Sequence, residues 1–377
     1  MTDPASPGLI LATGTYDVRS HPRVGVLLDG LREHGWTVEE IVEPLRLSTA
    51  QRVEVLRRPS RLPRLAVAVL RSWCRLVPRL LRRRRRGPAP TAVLVGYLGH
   101  FDVALVRRLT RPVPVVLDFL ISGAATATDR GETGGLKQAL LRALDDVALR
   151  AASVVLVDTD EHAEALPTRY RDRAVVVPVG ADDRWFAAGA ARGHRSARDS
   201  GRLSVVFFGL FTPLQGTPVI ARALRELDGL VEATIIGTGQ DETLVDELLI
   251  GVPGVTRIPW VEAEALPELV ARHDVCLGIF GTGEKARRVV PNKVYQGMAA
   301  GCVVVTSDTP PQRRVLQDAV EYVAPGDPGS LAAVIRELAG DPQRRPRMAE
   351  ASSAFARERF APAPVVSPLV DVLGRLR

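Results

Sequence analysis

Residues 280–301, FGTGEKARRVVPNKVYQGMAAG, bring a glycine-rich turn, four basic side chains and a proline-led helix start into one short stretch. Glu284, Lys285, Arg287 and Arg288 follow the turn. Pro291 suits the first helical turn, where its missing N–H costs nothing, and Asn292 and Lys293 come next. Positive side chains there oppose the helix dipole unless an anion joins them. A diphosphate would be such an anion, held by free backbone N–H groups and the lysine together. Gln296 shares the helical face of Lys293 and can donate to and accept from a sugar or ribose hydroxyl. The same residues also read as a solvated basic loop over an ordinary helix.

The elements that must carry these groups alternate. In the first half, strand-like V/L-rich runs occupy 8–14, 36–42, 91–97, 114–120, 153–159 and 174–180, with helical stretches at 21–34, 101–109, 134–150 and 160–169. Residues 187–202, small, polar and basic, read as a linker. The pattern then restarts, with strands at 203–209, 232–239, 256–259, 274–280, 302–308 and 320–325 and helices between and after them. Short apolar strands alternating with helices predict parallel βα units covered on both faces. The expected fold is therefore α/β, two Rossmann-like domains in series. Domain boundaries are expected at 1–186, a linker at 187–202, a second domain at 203–358, and a terminal helix in 359–377 that packs back on the first domain. Ligands of such sheets sit beyond the carboxyl ends of the strands, so two facing sheets predict a cleft.

Composition narrows the class. The chain has 377 residues, 46% hydrophobic and 25% charged. Its net charge of +7 is uneven: twelve arginines and no acidic residue lie in 57–86, which leaves −5 on the rest. Cys74, Cys276 and Cys302 form neither a disulfide framework nor a metal-ligand pair. No apolar run reaches spanning length, and MTDPASPG lacks the basic region of a signal peptide. A reducing cytoplasm fits. The Asp-Asp pairs at 145–146 and 182–183 lack the spacing of a metal motif and read as surface or capping residues. No metal and no cofactor are expected.

Glycines mark the ends of the second domain's strands. Gly209 closes one in FFGLFTPLQG, and Gly237 and Gly239 follow another in IIGTG. Neither phrase is a GxGxxG fingerprint or a Walker loop; each allows close backbone approach to a ligand, or serves turn geometry alone.

Taken as a set, these phrases resemble the retaining glycosyltransferases of the GT-B fold, in the large nucleotide-sugar-dependent family 4. EKARRVVPNKVYQGMAAG followed by CVVVTSD is similar to that family's donor-site loop and helix. FFGLFTPLQG resembles its first donor-domain strand and loop, and VAPGDPGSLAAVI its terminal helix approach; the likeness runs through 203–357. It implies a nucleoside-diphosphate sugar as substrate, gripped by the second domain through Gly209, Gly237, Gly239, Lys285, Arg287, Arg288, Asn292, Lys293 and Gln296. It also implies front-face attack by a hydroxyl acceptor held by the first domain. Two departures stand out. The family's pair of glutamates, seven residues between them, falls here on Arg288 and Gln296, with Glu284 as the substitute for the first. The arginine and lysine that many members place in the first donor-domain loop fall on Leu210 and Gln215. These departures keep a catalytically weak GT-B partner subunit as the alternative.

The first half supports the resemblance more loosely. TGTYDVRSHPR puts Gly14 near the donor phosphates, with Arg19 and Arg23 behind it. His100 follows a glycine turn, Asp118 ends a strand, and Asp158, Thr159 and His162 form a DT-x-x-H phrase. His100 is expected to bond the transferred sugar or orient the acceptor, or to be structural. Asp118 is expected to accept the acceptor's hydrogen bond, or to cap a loop. His162 reads as structural.

The arginine segment predicts a helix starting near Pro63, kinked at Pro78 and amphipathic. Arg71, Trp73, Arg75, Arg82, Arg83, Arg84, Arg85 and Arg86 are its expected contacts with an anionic membrane surface, placing the chain at the inner face of the plasma membrane beside a lipid-linked acceptor. A plain sheet-packing helix with a basic rim is the other reading. Nucleic acid is the rival partner and is not expected, since no recognition motif accompanies the charge.

Overall fold

The computed structural model describes residues 7–18, 21–45, 62–97, 99–120, 122–125, 135–192 and 201–376. The first sheet is built from β1 (Leu9–Gly14), β2 (Thr37–Val42), β3 (Ala92–Val95), β4 (Val115–Asp118), β5 (Val154–Val157) and β6 (Ala174–Val176), in the order β2-β1-β3-β4-β5-β6. Its helices are α1 (Pro22–Glu33), α2 (Leu62–Arg86), α3 (Val103–Thr110), α4 (Gly135–Ala151), α5 (Asp160–Ala165) and α6 (Thr168–Arg171). A bridging helix, α7 (Asp183–Arg192), leads to the second sheet.

That sheet contains β7 (Leu203–Phe208), β8 (Val231–Ile236), β9 (Val255–Ile258), β10 (Val275–Leu277), β11 (Val303–Ser307) and β12 (Glu321–Val323), ordered β12-β11-β10-β7-β8-β9. Between and after them lie α8 (Thr217–Leu227), α9 (Glu242–Leu249), α10 (Leu266–Ala271), α11 (Asn292–Ala299), α12 (Pro310–Leu316), α13 (Pro328–Gly340), α14 (Arg344–Phe360) and α15 (Pro362–Arg375). Every strand pairing is parallel. The strand order reverses between β1 and β3 and again between β7 and β10, and the loops after those strands form the crevice that this topology leaves for ligands.

The inner strands are near-continuous apolar runs because both faces are covered, whereas the edge strands β2 and β9 carry charged and exposed residues. Along β1, Ile10 and Ala12 meet α1, while Leu11 faces α2 and α3. The core under α1 does not stop at the domain boundary. It continues through Trp185 and Phe186 of α7 to Phe208, Tyr295 and Met298 of the second domain. Trp185 stacks on Phe208 at 5.6 Å between ring centroids.

Two features differ from expectation. Residues 187–192 are the end of α7 rather than linker; residues 193–200 lie outside the described residues. The small residues there permit a close crossing: a Cβ on Gly189 would stand 2.4 Å from the carbonyl oxygen of Ala299. The 160–169 helix divides at Leu166, where the backbone turns extended before Pro167. The helix of the arginine segment continues through Pro78.

The chain ends on the domain where it began. α15 packs along α1, and a Cβ on Gly30 would meet the carbonyl oxygen of Pro362 at 2.2 Å. Gly30→Ala is therefore expected to separate the two helices and destabilise the protein by about 1–3 kcal/mol. A urea unfolding curve with an unchanged midpoint would show that this crossing does not form in solution.

Candidate active site

Three loops meet backbone to backbone at the carboxyl ends of the second sheet. Gly209 N–H donates to Ile236 (3.0 Å), Phe211 N–H to Thr238 (2.9 Å) and Phe280 N–H to the carbonyl of Gln215 (3.0 Å). The approach is close enough to demand glycine. At Gly237, φ is +131° and a Cβ would lie 1.9 Å from the carbonyl oxygen of Gly209. Gly239 bridges to Phe211 in the same seam. These glycines thus build the wall by admitting each other's main chain.

Lys293 reaches into that wall from α11. It is 5% exposed, and its ammonium lies 3.7 Å from the centroid of the Phe207 ring and donates to Gln215 Oε1. A Cβ on Gly209, where φ is +147°, would stand 2.9 Å from Nζ. Burial pushes the lysine pKa down to about 7. Among the described residues no carboxylate pairs with it; its acceptor is an amide. Pro291 precedes α11 and no side chain caps it, which leaves first-turn N–H groups for an anion. One turn on, the buried side chain of Gln296 makes no hydrogen bond among the described residues. Asn292 is half-buried at the helix start. Lys293, Gln296 and the opening of α11 thus form one polar, unsaturated surface.

The preceding loop is more exposed. Glu284 pairs with Arg288 one helical turn away, its side chain 72% exposed. The expected catalytic carboxylate is therefore neutralised on the outside of the loop, and it does not face a reacting centre alone. Arg287 is exposed and Lys285 half-buried. The backbone carbonyl of Arg288 accepts from Thr159 Oγ1 across the domain boundary at 2.7 Å. Arg314 of α12 adds ion pairs to Asp160 (2.8 Å) and Glu161 (2.5 Å) of α5. These contacts turn the carboxyl ends of the two sheets toward each other.

On the first domain, Gly14 ends β1 with φ +139°. The next residue, Thr15, donates through both N–H and Oγ1 to Asp102 Oδ2, each at 2.8 Å, and Trp73 Nε1 donates to Oδ1 at 2.8 Å. Burial raises the pKa of Asp102, and these three donors oppose the shift. Sequence reasoning passed over Asp102, since nothing local marks a carboxylate whose donors lie 87 and 29 residues earlier.

Asp118 is a correction. It is 1% exposed, and its Oδ1 lies 2.8 Å from Arg23 Nε. Arg23 also donates to the carbonyls of Val177 and Pro178, both at 2.9 Å. Burial raises the Asp118 pKa and the guanidinium opposes it. A carboxylate enclosed in this way ties β4 to α1, and Arg23 carries the tie on to the segment after β6. Tyr295 of α11 sits in the same interdomain region, its hydroxyl pKa pushed above the ordinary range by burial and then by Asp158. Asp158 itself is buried and bonded to His162 Nδ1.

His100 is 6% exposed, 5.0 Å from the Phe119 ring, with Nε2 3.3 Å from Asp145 Oδ1. Burial acts to raise the pKa of Asp145, but the neighbouring His100, Ser122 and Gly123 N–H hold it below the usual range. His100 is thus turned toward the 122–125 segment and helix α4. Asp145 accepts from Ser122 and Gly123, Asp146 from Tyr170 and two arginines, and Asp182 from Arg184. Among the described residues no group of three or more His, Cys, Asp or Glu side chains could hold a metal ion.

The arginine helix divides its residues. Trp73 turns inward to Asp102, Arg83 pairs with Glu39 (2.5 Å), and Arg84 donates to the carbonyl of Leu109 (2.7 Å). Trp73 and Arg83 are therefore engaged with the protein, contrary to the expected outward contact, because the helix packs on β2 and α3, while Arg84 bonds a carbonyl and stays exposed. Arg71, Arg75, Arg82, Arg85 and Arg86 remain exposed.

Two parallel six-stranded sheets whose carboxyl ends face each other define the GT-B architecture. Residues 202–341 match the family described as Glycosyl transferases group 1. The chain is similar to Anabaena HepE in complex with UDP-glucose (15% identity, TM-score 0.66, covering 98% of this chain and 100% of that one). It is also similar to sucrose-phosphate synthase from Thermosynechococcus elongatus (14%, TM-score 0.69, 98% of each). A third is a UDP-forming α,α-trehalose-phosphate synthase from Burkholderia vietnamiensis (15%, TM-score 0.64, 98% and 97%). No curated protein matches by sequence. Among the described residues no helix is long and apolar enough to cross a membrane.

Two expectations follow. Asp118→Ala leaves Arg23 buried and uncompensated, and should cost about 3–5 kcal/mol of stability. Chemical denaturation checks this, and an unchanged stability with lost activity would return Asp118 to the reacting centre. Lys293 is the pH probe. Below pH 7 it is already protonated, so binding of an anion shows no pH dependence through it. Above pH 7 the anion must draw a proton onto the amine, so affinity for a nucleoside diphosphate should fall by up to about tenfold per pH unit. Calorimetry in two buffers of different ionisation enthalpy should register proton uptake in the wild type and none in Lys293→Met.

Proposed function

We propose that the chain is a retaining, metal-independent glycosyltransferase that moves a hexose-type sugar from a nucleoside-diphosphate sugar to a hydroxyl acceptor. The observation that carries this reading is the surface formed by Lys293, Gln296 and the uncapped start of α11. It offers a cation, an amide and backbone N–H groups, and none of them is matched by a carboxylate. HepE, whose fold this chain shares, holds UDP-glucose, which favours a uridine donor.

In the proposed reaction the diphosphate lies across the opening of α11 with Lys293 on a phosphate oxygen. The bond between the anomeric carbon and the phosphate oxygen breaks, and its electron pair stays on the leaving diphosphate. Preorganised positive charge stabilises that developing anion, and Lys285, Arg287 and Arg288 add to the field. The acceptor oxygen attacks from the face the diphosphate is leaving and gives its proton to a phosphate oxygen, so no protein nucleophile is required. Gln296 bonds a hydroxyl of the ribose or the sugar. Trp260, 69% exposed just past β9, offers a ring for the base to stack on.

A second reading, a catalytically weak GT-B partner subunit, is favoured by Leu210, Gln215 and Gln296 standing where the resembling enzymes place charged residues. One experiment separates the two. The chain is titrated by calorimetry with UDP-, GDP- and TDP-sugars, and turnover and product anomer are followed by NMR with and without EDTA. The enzyme reading expects binding, chelator-insensitive turnover and a retained anomeric configuration; binding with no turnover supports the partner subunit. Lys293→Ala should weaken nucleoside-diphosphate binding by about 10- to 100-fold, the loss of one charge-assisted contact worth roughly 1.5–3 kcal/mol. An unchanged affinity would remove Lys293 from the site.

A further inference from the structure

Helix α5 is only six residues long, yet its first turn is held at several points. Thr159 is its N-cap, with extended backbone, and Oγ1 accepts from the N–H of His162 at 3.2 Å. Asp158, one residue earlier, accepts from Nδ1 of the same histidine at 2.5 Å. His162 is thus gripped by main chain and by ring, and the grip fixes how the Thr159 side chain is turned. A hydroxyl accepts through its oxygen and has one proton to give. The Thr159 oxygen accepts inside α5, and its proton crosses the domain boundary to the carbonyl of Arg288 at 2.7 Å. Thr159 is 1% exposed, so water does not compete for that bond.

Arg288 lies in the stretch between β10 and α11, which is lightly held from its own side. Its apolar contacts are a small cluster of Ile279, Ala286, Val289 and Leu214, separate from the larger cores. Its internal hydrogen bonds are single turns, from Ala286 N–H to Gly283, Arg287 to Glu284 and Arg288 to Lys285. A segment of that kind opens more easily than the strands and helices around it. Just past Arg288 come Pro291, the uncapped first turn of α11 and Lys293. Thr159 therefore fixes the main chain immediately ahead of the groups offered to an anion. A second contact braces α5 itself. Arg314 of α12 pairs with Asp160 (2.8 Å) and Glu161 (2.5 Å), the residues that open α5. One short helix of the first domain thus holds two neighbouring donor-side elements, the loop after β10 and the helix after β11.

We propose that Thr159 is a positioning residue of the donor site. Aimed by Asp158 and His162 and braced by Arg314, its hydroxyl holds Arg288 and the entry to α11 from the first domain. Affinity for a nucleoside diphosphate then depends on a side chain that touches no ligand. The inference rests on the donor site proposed above.

The full chain is titrated by calorimetry with UDP, GDP and TDP, and the tightest of these is used to compare wild type, Thr159→Val, Thr159→Ser and Arg314→Gln. Valine keeps the shape of threonine and removes both the proton and the cap; serine keeps both. Affinity is expected to fall about threefold to tenfold in Thr159→Val, the scale of one lost hydrogen bond, and to return in Thr159→Ser. Arg314→Gln, which breaks exposed ion pairs, should lower it by about twofold. Urea unfolding accompanies each titration, because loss of a cap lowers stability without changing the affinity of the folded protein. A Thr159→Val chain with a lower urea midpoint and wild-type affinity assigns the hydroxyl to capping alone and overturns the proposal. A Thr159→Ser chain as weak as Thr159→Val does the same. Should valine prevent folding, Arg314→Gln decides, and an unchanged affinity there overturns the proposal. A wild type that binds none of the three diphosphates removes the donor site itself; a wild type that binds, with variants that bind equally, removes only the role of Thr159.

Discussion

A cation buried without a counter-ion sets the terms for the second domain. Lys293 has an aromatic face, an amide oxygen and a glycine around it, and none of these neutralises a charge. Each part of the surroundings is arranged to admit it. Gly209 leaves room for Nζ, and the seam between Gly209 and Gly237 holds that glycine's backbone in place. Phe207 forms the floor, and Gln215 is fixed by its carbonyl bond to Phe280. Desolvation is a cost the fold carries in the empty site and an anion removes. The same arrangement explains why the loop glycines cannot be read as a nucleotide fingerprint: their spacing answers to neighbouring backbones, while the charge arrives from a different element.

The first domain uses the opposite device. Arg23 and Asp118 are buried together and share one hydrogen bond, Nε to Oδ1, while the carbonyls of Val177 and Pro178 accept from Arg23 Nη1. Such a pair contributes little net stability against apolar replacements, but it specifies one arrangement of α1, β4 and the segment after β6. Tyr295 brings the donor-side helix α11 into the same region, and Thr159 holds the loop that precedes that helix. The relative placement of the two sheets is thus decided by polar contacts set within a continuous apolar core.

The twelve strands were legible in the sequence, the inner ones because a strand buried on both faces is a near-continuous apolar run, the edge strands such as β2 and β9 from their β-branched residues alone. Their ends were less so: apolar residues continue past β6, β10 and β12, and periodicity does not say where pairing stops. The helix at 183–192 was hidden by its composition. AAGAAR looks like linker until α11 is known to cross it at Gly189. The site divides the same way. Lys293 could be singled out because a cation in the first turn of a helix conflicts locally with the dipole, and Gln296 because it shares that helical face. Asp118 and Trp73 were misjudged because their partners, Arg23 and Asp102, are distant in sequence. A strand-end carboxylate and an aromatic on a basic helix both look available when partners cannot be seen.

The return of the chain to its starting domain has a consequence for its birth. Helix α1 is made long before the segment that completes the face it offers through Gly30, which is Pro362–Arg375. At ordinary rates of synthesis the two are separated by on the order of tens of seconds. Throughout that interval the first domain carries an uncovered apolar strip on the nascent chain. The second domain must fold beside it, and the strip is closed only once the α15 segment has emerged.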